Sequence, residues 1–148
     1  MRAMNSGFEI IDGITSADIA IRAYAGDCNG MFIAACRALR SLLMDNPDDI
    51  SREKHITFTL RNSQLDLLLV EYLQEFIYYK DAHGSIFVPD NVDITCKDNC
   101  FTLTCSAYGE PIDRGKHIFG TDIKAVTLHR LSITRSGDRW SAVVVFDV

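Results

Sequence analysis

Two groups of polar residues stand where this chain could do chemistry. The first is Asp147, followed at Val148 by the α-carboxylate. Trp140, Ala142, Val144, Phe146 and Val148 fall on one face of a period-two pattern, and Ser141, Val143, Val145 and Asp147 on the other. Both faces are largely apolar, which reads as a central strand that ends in a carboxylate. Burying such charges costs several kcal/mol each, as an order of magnitude, unless they are paired or bound to metal. A strand end emerging into water avoids that cost, and on the residues alone it is the plainer reading. The second group lies in GEPIDRGKHIFGTDIKAVTLH, Gly109 to His129. Glu110 precedes Pro111 and is pushed towards an extended backbone. Asp113, Arg114, Gly115, Lys116, Gly120 and Asp122 suit a surface loop, and from Ile123 the chain turns apolar and β-branched around Lys124 and His129. Unaided, this is a loop and then a strand. Lys124 is then an edge charge that discourages aggregation, and Glu110, His117 and His129 are structural.

The elements that must position these residues follow from periodicity. Phe8 to Ile11 is a short strand broken by Asp12-Gly13, and Ile19, Ile21 and Ala23 alternate as a second strand or its continuation. Asp27 caps a helix carrying Phe32, Ala35, Cys36, Leu39, Leu42 and Leu43, which must stop before Pro47. After a polar loop from Pro47 to Glu53, HITFTLR (His55–Arg61) alternates as a strand. Ser63, with Asp66 three residues on, opens a second helix that is apolar around most of its circumference. Such a helix is covered on more than one side. Gly84 stops it. Strands follow at Ile86–Val88, Val92–Cys96, Phe101–Tyr108, Ile123–Thr134 and Trp140–Val148, with hairpin turns at Lys97-Asp98-Asn99 and Ser136-Gly137-Asp138. The order β-α-β-α, then a C-terminal run of antiparallel strands, predicts an α+β fold with two helices packed on an antiparallel sheet.

Composition excludes several functions. At 148 residues, 47% hydrophobic and 24% charged, residues 1–148 read as one globular domain without a linker or repeat. Net charge is −5, with the acidic excess in residues 1–110 and a slight basic excess in 111–148. No basic stripe is interleaved with aromatics, so the chain is poorly suited to gripping RNA by its phosphates. Any link to RNA is expected to run through a protein partner. No stretch has the length of a membrane span or of a signal-peptide core, and five cysteines suit a reducing cytoplasm. Cys28 lies near a helix N-terminus, which favours a thiolate, but Asp27 opposes it. Cys96 and Cys100 flank a turn and could face each other, yet no second pair completes a zinc site. There is no P-loop, dinucleotide-binding glycine pattern or HExxH motif.

The wording of the second group is more specific than its physics. "GEP", then His117, then "IKAVTLH" resembles the signature of the archease family, accessory proteins of the RNA ligase that joins tRNA halves. Thr15-Ser16-Ala17-Asp18 resembles that family's Thr-Ala-Asp motif, and Asp147-Val148 its terminal Asp followed by Ile or Val. "LLVEYLQEFIY", with Glu71, resembles its second helix, although an exposed helical glutamate is the sober reading of Glu71. The chain departs from the pattern in lacking His directly before the Thr, in Ala20 where a glycine is common, and in Gly26 to Gly30. The resemblance implies a divalent cation, calcium, held by Asp18, Asp147 and Val148, with Lys124, Glu110, His117 and His129 acting on the partner. It further implies a non-enzymatic activator of an RtcB-type RNA ligase that promotes GTP-dependent guanylylation of the ligase, in tRNA splicing or RNA repair. The alternatives are a metal-dependent hydrolase using the same carboxylates, which needs a general base and more ligands, and a general chaperone, which needs a large exposed apolar patch.

Overall fold

The computed structural model describes residues 6–15 and 17–148, the side chains of residues 12–15 excepted. The elements run β1 (Gly7–Thr15), β2 (Asp18–Ala25), α1 (Cys28–Leu43), β3 (Lys54–Asn62), α2 (Leu65–His83), β4 (Ser85–Lys97), β5 (Cys100–Pro111), β6 (Ala125–Val126), β7 (Ser132–Ser136) and β8 (Arg139–Asp147). The α+β expectation holds, with the strands divided between two antiparallel sheets. One is β1-β2-β8-β6 with β7 also on β8, and the other is β3-β5-β4.

Local chemistry explains most boundaries. The Asp27 carboxylate accepts from the Gly30 N–H at 2.6 Å and starts α1, which ends as the Met44 N–H bonds back to the Arg40 carbonyl. The start of α2 differs from expectation. Ser63 makes no cap, and Gln64 at the cap position offers no side-chain bond. Asn62 accepts from the Gln64 N–H at 2.9 Å and fixes the turn instead. Gly84 ends α2 at φ 57, the left-handed value that suits glycine. Asp98 and Asn99 both have positive φ, which makes the β4–β5 turn the tight hairpin expected there.

Two strand readings are corrected. Ile86–Val88 and Val92–Cys96 are one strand, β4, interrupted by a register shift between Pro89 and Asn91, where proline cannot donate to the ladder. Ile123–Thr134, read as a single strand, is two short pieces on β8. Ala125 and Val126 pair with Asp147 and Phe146, and Ser132 resumes opposite Val143. Between them the chain leaves the ladder and turns through Arg130 at φ 54. Apolar alternation continues across this excursion, which is why the pattern alone reads it as strand.

The core joins both sheets. α2 touches α1 and strands of both sheets, as its apolar circumference requires. Phe32 of α1, Phe58 of β3, and Tyr72 and Phe76 of α2 form an aromatic knot with ring centroids 5.2–6.4 Å apart. Each such pair adds about 0.5–1.5 kcal/mol beyond its burial. Phe32 is fully buried. Phe32→Ala is therefore expected to cost about 3–5 kcal/mol, read as the fall in unfolding free energy in urea.

Candidate functional site

The β2–β8 ladder brings the two ends of the sequence together. Asp18 stands directly opposite Asp147, and Ala125 of β6 stands opposite Asp147 on its other side. The Lys124 N–H donates to the Asp147 carbonyl at 2.8 Å, and the Val148 N–H donates to the Ala17 carbonyl at 3.0 Å. Asp18, Asp147, Val148 and Lys124 thus meet at one end of β8, as a pattern of widely separated residues requires. Directly paired residues share a face with Cβ atoms about 4.5–5.5 Å apart. That face also carries Ala20, Arg22, Val143 and Val145, opposite the face on which Ile21, Ala23, Val144 and Phe146 are buried. Asp18, Asp147 and Val148 are half-buried and Lys124 is exposed. Ser16 of the motif lies outside the described residues, as does the side chain of Thr15.

Two carboxylates paired across a ladder repel, so this register is unfavourable unless positive charge joins them. An all-oxygen pair suits a hard cation, which takes carboxylate and carbonyl oxygens and water. Among the described residues no three His, Cys, Asp or Glu side chains are grouped to hold a metal ion. Val148 follows Asp147 at this place, tied by its N–H to the Ala17 carbonyl.

Glu110 and His117 meet elsewhere, around the start of the loop that follows β5. Glu110 is buried, and its carboxylate accepts from the Ser51 N–H, the Ser51 hydroxyl at 2.7 Å and Lys116 Nζ at 2.8 and 3.0 Å. Burial raises its pKa, but the bonds from Lys116 and from the Ser51 backbone and hydroxyl outweigh burial and bring it to about 2. The bond to Glu110 in turn raises the Lys116 pKa. His117 is buried, and its Nδ1 accepts from the Asp113 N–H at 2.9 Å. The ring proton is thereby assigned to Nε2, which lies 3.5 Å from Glu110 Oε1 without forming a hydrogen bond. Ser51 and Lys116 were not singled out by sequence. Lys116, six residues past Glu110 across a proline corner, was within reach of such reasoning; Ser51 offered no signal.

The remaining sequence candidates stand apart. His129 is exposed in the β6–β7 excursion, where its N–H donates to Thr127 Oγ1. Glu71 is exposed on α2, accepting from Asn62 Nδ2 at 2.7 Å. Burial, with Asp27 adding, pushes the Cys28 thiol up to about 11, which removes the thiolate reading. Cys96 pairs with Phe101, and Cys100 with Lys97, so the two cysteines lie on opposite faces and do not confront each other.

Residues 8–148 match the Archease protein family (MTH1598/TM1083). The protein archease of Pyrococcus furiosus is 34% identical over 134 residues, covering 90% of this chain and 94% of that one. The protein archease of Methanosarcina barkeri is 32% identical over 149 residues and covers both chains completely. The solution structure of protein 1598 of Methanobacterium thermoautotrophicum superposes with a TM-score of 0.80 at 28% identity, covering 96% of this chain and 99% of that one. A crystal structure from Thermotoga maritima, described as an archease and possible chaperone, shares the fold at a TM-score of 0.54 and 20% identity, covering 90% of this chain and 93% of that one.

The Glu110 cluster makes a pH prediction. Its folded pKa of about 2 lies below the ordinary 4.5, so its contribution is fully present above pH 4.5 and is lost as pH falls towards 2. Glu110→Gln is expected to cost about 1.5–3 kcal/mol near neutrality, the range for hydrogen bonds to charged groups. The gap between the variant and the natural chain should close as denaturation is measured at successively lower pH across that window. A gap constant with pH would rule out the ionised cluster.

Proposed function

We propose, since this chain belongs to the archease family, that it is an accessory protein of an RtcB-type RNA ligase and promotes GTP-dependent guanylylation of that ligase. It is not itself an enzyme in this reading, and RNA is contacted only through the ligase. Beyond family membership, the observation that supports the reading is the meeting of Asp18, Asp147, Val148 and the Lys124 backbone at one end of β8. The acidic balance of the chain speaks against a grip on RNA phosphates. Among the described residues no helix is long and apolar enough to cross a membrane.

In this proposal Asp18, Asp147 and the Val148 carboxylate hold a divalent cation, calcium being the hard cation that accepts such irregular oxygen sets. Bound there, the cation supplies positive charge that offsets the paired carboxylates and presents a charged centre to the ligase. Lys124, exposed and tied through its backbone N–H to the Asp147 carbonyl, is proposed to turn its ammonium to the partner. Glu110 and His117 act from a distance by holding the loop that delivers Lys124. His129, exposed on the neighbouring excursion, is proposed to touch the partner.

Lys124→Ala tests the activating role. Substituting an exposed lysine changes stability by no more than about 0.5 kcal/mol, so the thermal midpoint is expected to hold while stimulation of guanylylation falls. Undiminished stimulation would leave Lys124 as an edge charge only. The cation is tested separately by melting. Calcium at a hundredfold excess over its dissociation constant should stabilise the chain by about 2.7 kcal/mol. Asp18→Ala or Asp147→Ala should abolish that increment, and residues appended after Val148 should weaken it. Calcium-independent melting of the natural chain would remove the metal role.

A further inference from the structure

α2 and β3 enclose a surface feature that the Asp18–Asp147 cluster does not use. Leu60 of β3 and Glu71, Gln74, Glu75 and Tyr78 of α2 line an open groove of about 390 Å³. Its walls are mostly apolar, and Tyr78 is half exposed within it. Among the described residues β3 pairs only with β5, so its other edge presents unused backbone N–H and C=O groups alongside the groove. An unpaired edge next to an apolar trough accommodates an added extended strand, with backbone bonds supplying affinity and side-chain pockets supplying selectivity.

The charges in the groove restrict what that strand carries. Glu71 is held by Asn62 at 2.7 Å. Glu75, one turn along α2, is half-buried and has no hydrogen bond or ion pair among the described residues. Burial alone raises its pKa, as expected for a carboxylate losing water without gaining a partner. A cation with an apolar stem satisfies both features, since its methylenes can lie on Leu60 and Tyr78 while its head reaches Glu75. Phosphate groups of a nucleic acid would instead meet two carboxylates.

We infer that the α2–β3 groove is a docking surface for an extended segment of a protein partner bearing an arginine or lysine. The segment pairs with the free edge of β3 and places its cation between Glu75 and Glu71. Gln74 joins this surface to the strand beyond Lys124, because its Oε1 accepts from the Val126 N–H at 3.2 Å. The inference does not rest on the identity of the ligase.

The test uses the full isotope-labelled chain and the peptide acetyl-Thr-Val-Arg-Val-Thr-amide, followed by amide NMR. Saturable shifts are expected along β3 and at Tyr78 at millimolar peptide. Replacing the peptide arginine by norleucine, or Glu75 by glutamine, should each weaken binding by about tenfold, the effect of 1.4 kcal/mol. The melting temperature of Glu75→Gln should match that of the natural chain. Absence of β3 shifts, or equal affinity for the natural chain and Glu75→Gln, would overturn the proposal. So would oligouridylate shifting the same amides as strongly, or sedimentation showing a dimer that occupies the β3 edge. No ligase is present, so failure here leaves the ligase reading standing.

Discussion

The antiparallel register of β2 on β8 is the constraint from which the rest of the structure follows. Asp18 faces Asp147 and, three pairs along, Ile21 faces Val144. A slip of one residue would exchange the two faces of one strand against those of the other and part the two aspartates. The same register decides whether two carboxylates from opposite ends of the chain stand together or apart. Core burial thus sets Asp18 against Asp147 across the ladder. β8 meets this demand because it is flanked on both sides, by β2 along its length and by β6 and β7 in two pieces. Val144, Val145 and Phe146 are wholly buried as a result.

The segment between β5 and β6 is the second link, and it is held by polar contacts rather than by packing alone. Glu110 gathers Ser51 and Lys116. Asn46 then acts as a peptide substitute, donating to the Lys116 carbonyl at 3.0 Å and accepting from the Ile118 N–H at 2.9 Å. Gly120 follows, its N–H on the Leu43 carbonyl, where an added Cβ would come within 2.7 Å of the Leu42 carbonyl oxygen. Ile123 is fully buried immediately before Lys124. Each contact fixes the path by which the chain reaches β8. A charged pair with one partner buried adds little net stability once desolvation is counted, so the effect of Glu110 and Lys116 here is to select one loop course among many. Gly109 shows the same selectivity at the start of this segment, since a side chain there would collide with the Ile86 carbonyl of β4.

The exposed face of the molecule divides into two kinds of surface. Around the end of β8 the chain offers Asp18 and Asp147, paired across the ladder, and the exposed Lys124. Around α2 and β3 it offers an apolar trough and, among the described residues, a carboxylate without a partner and an unpaired strand edge. The aromatic knot of Phe32, Phe58, Tyr72 and Phe76 lies beneath α2 and β3 and gives that second surface a stiff floor. Gln74 lies between the two regions, its Oε1 accepting from the Val126 N–H of the strand that follows Lys124.

Periodicity, caps and turn residues in the sequence determined both helices, the capping role of Asp27, the stop at Gly84 and the central character of the last strand. These depend on interactions between near neighbours, or on the simple alternation of a doubly covered strand. Motif wording determined the family and marked out Asp18, Lys124, Glu110, His117 and Asp147. Only the tertiary structure decided that Ile123–Thr134 splits into two pieces, because alternation cannot register a chain that leaves its ladder and returns. It alone revealed Ser51 beside Glu110, since a hydrogen bond spanning 59 residues leaves no trace in local pattern. It separated Cys96 from Cys100, whose faces are set by pairing register rather than by spacing. It also set Asp18 against Asp147 while leaving His129 and the Glu110 cluster elsewhere. Proximity of distant residues is a property of sheet register, and register is fixed only when the whole core closes.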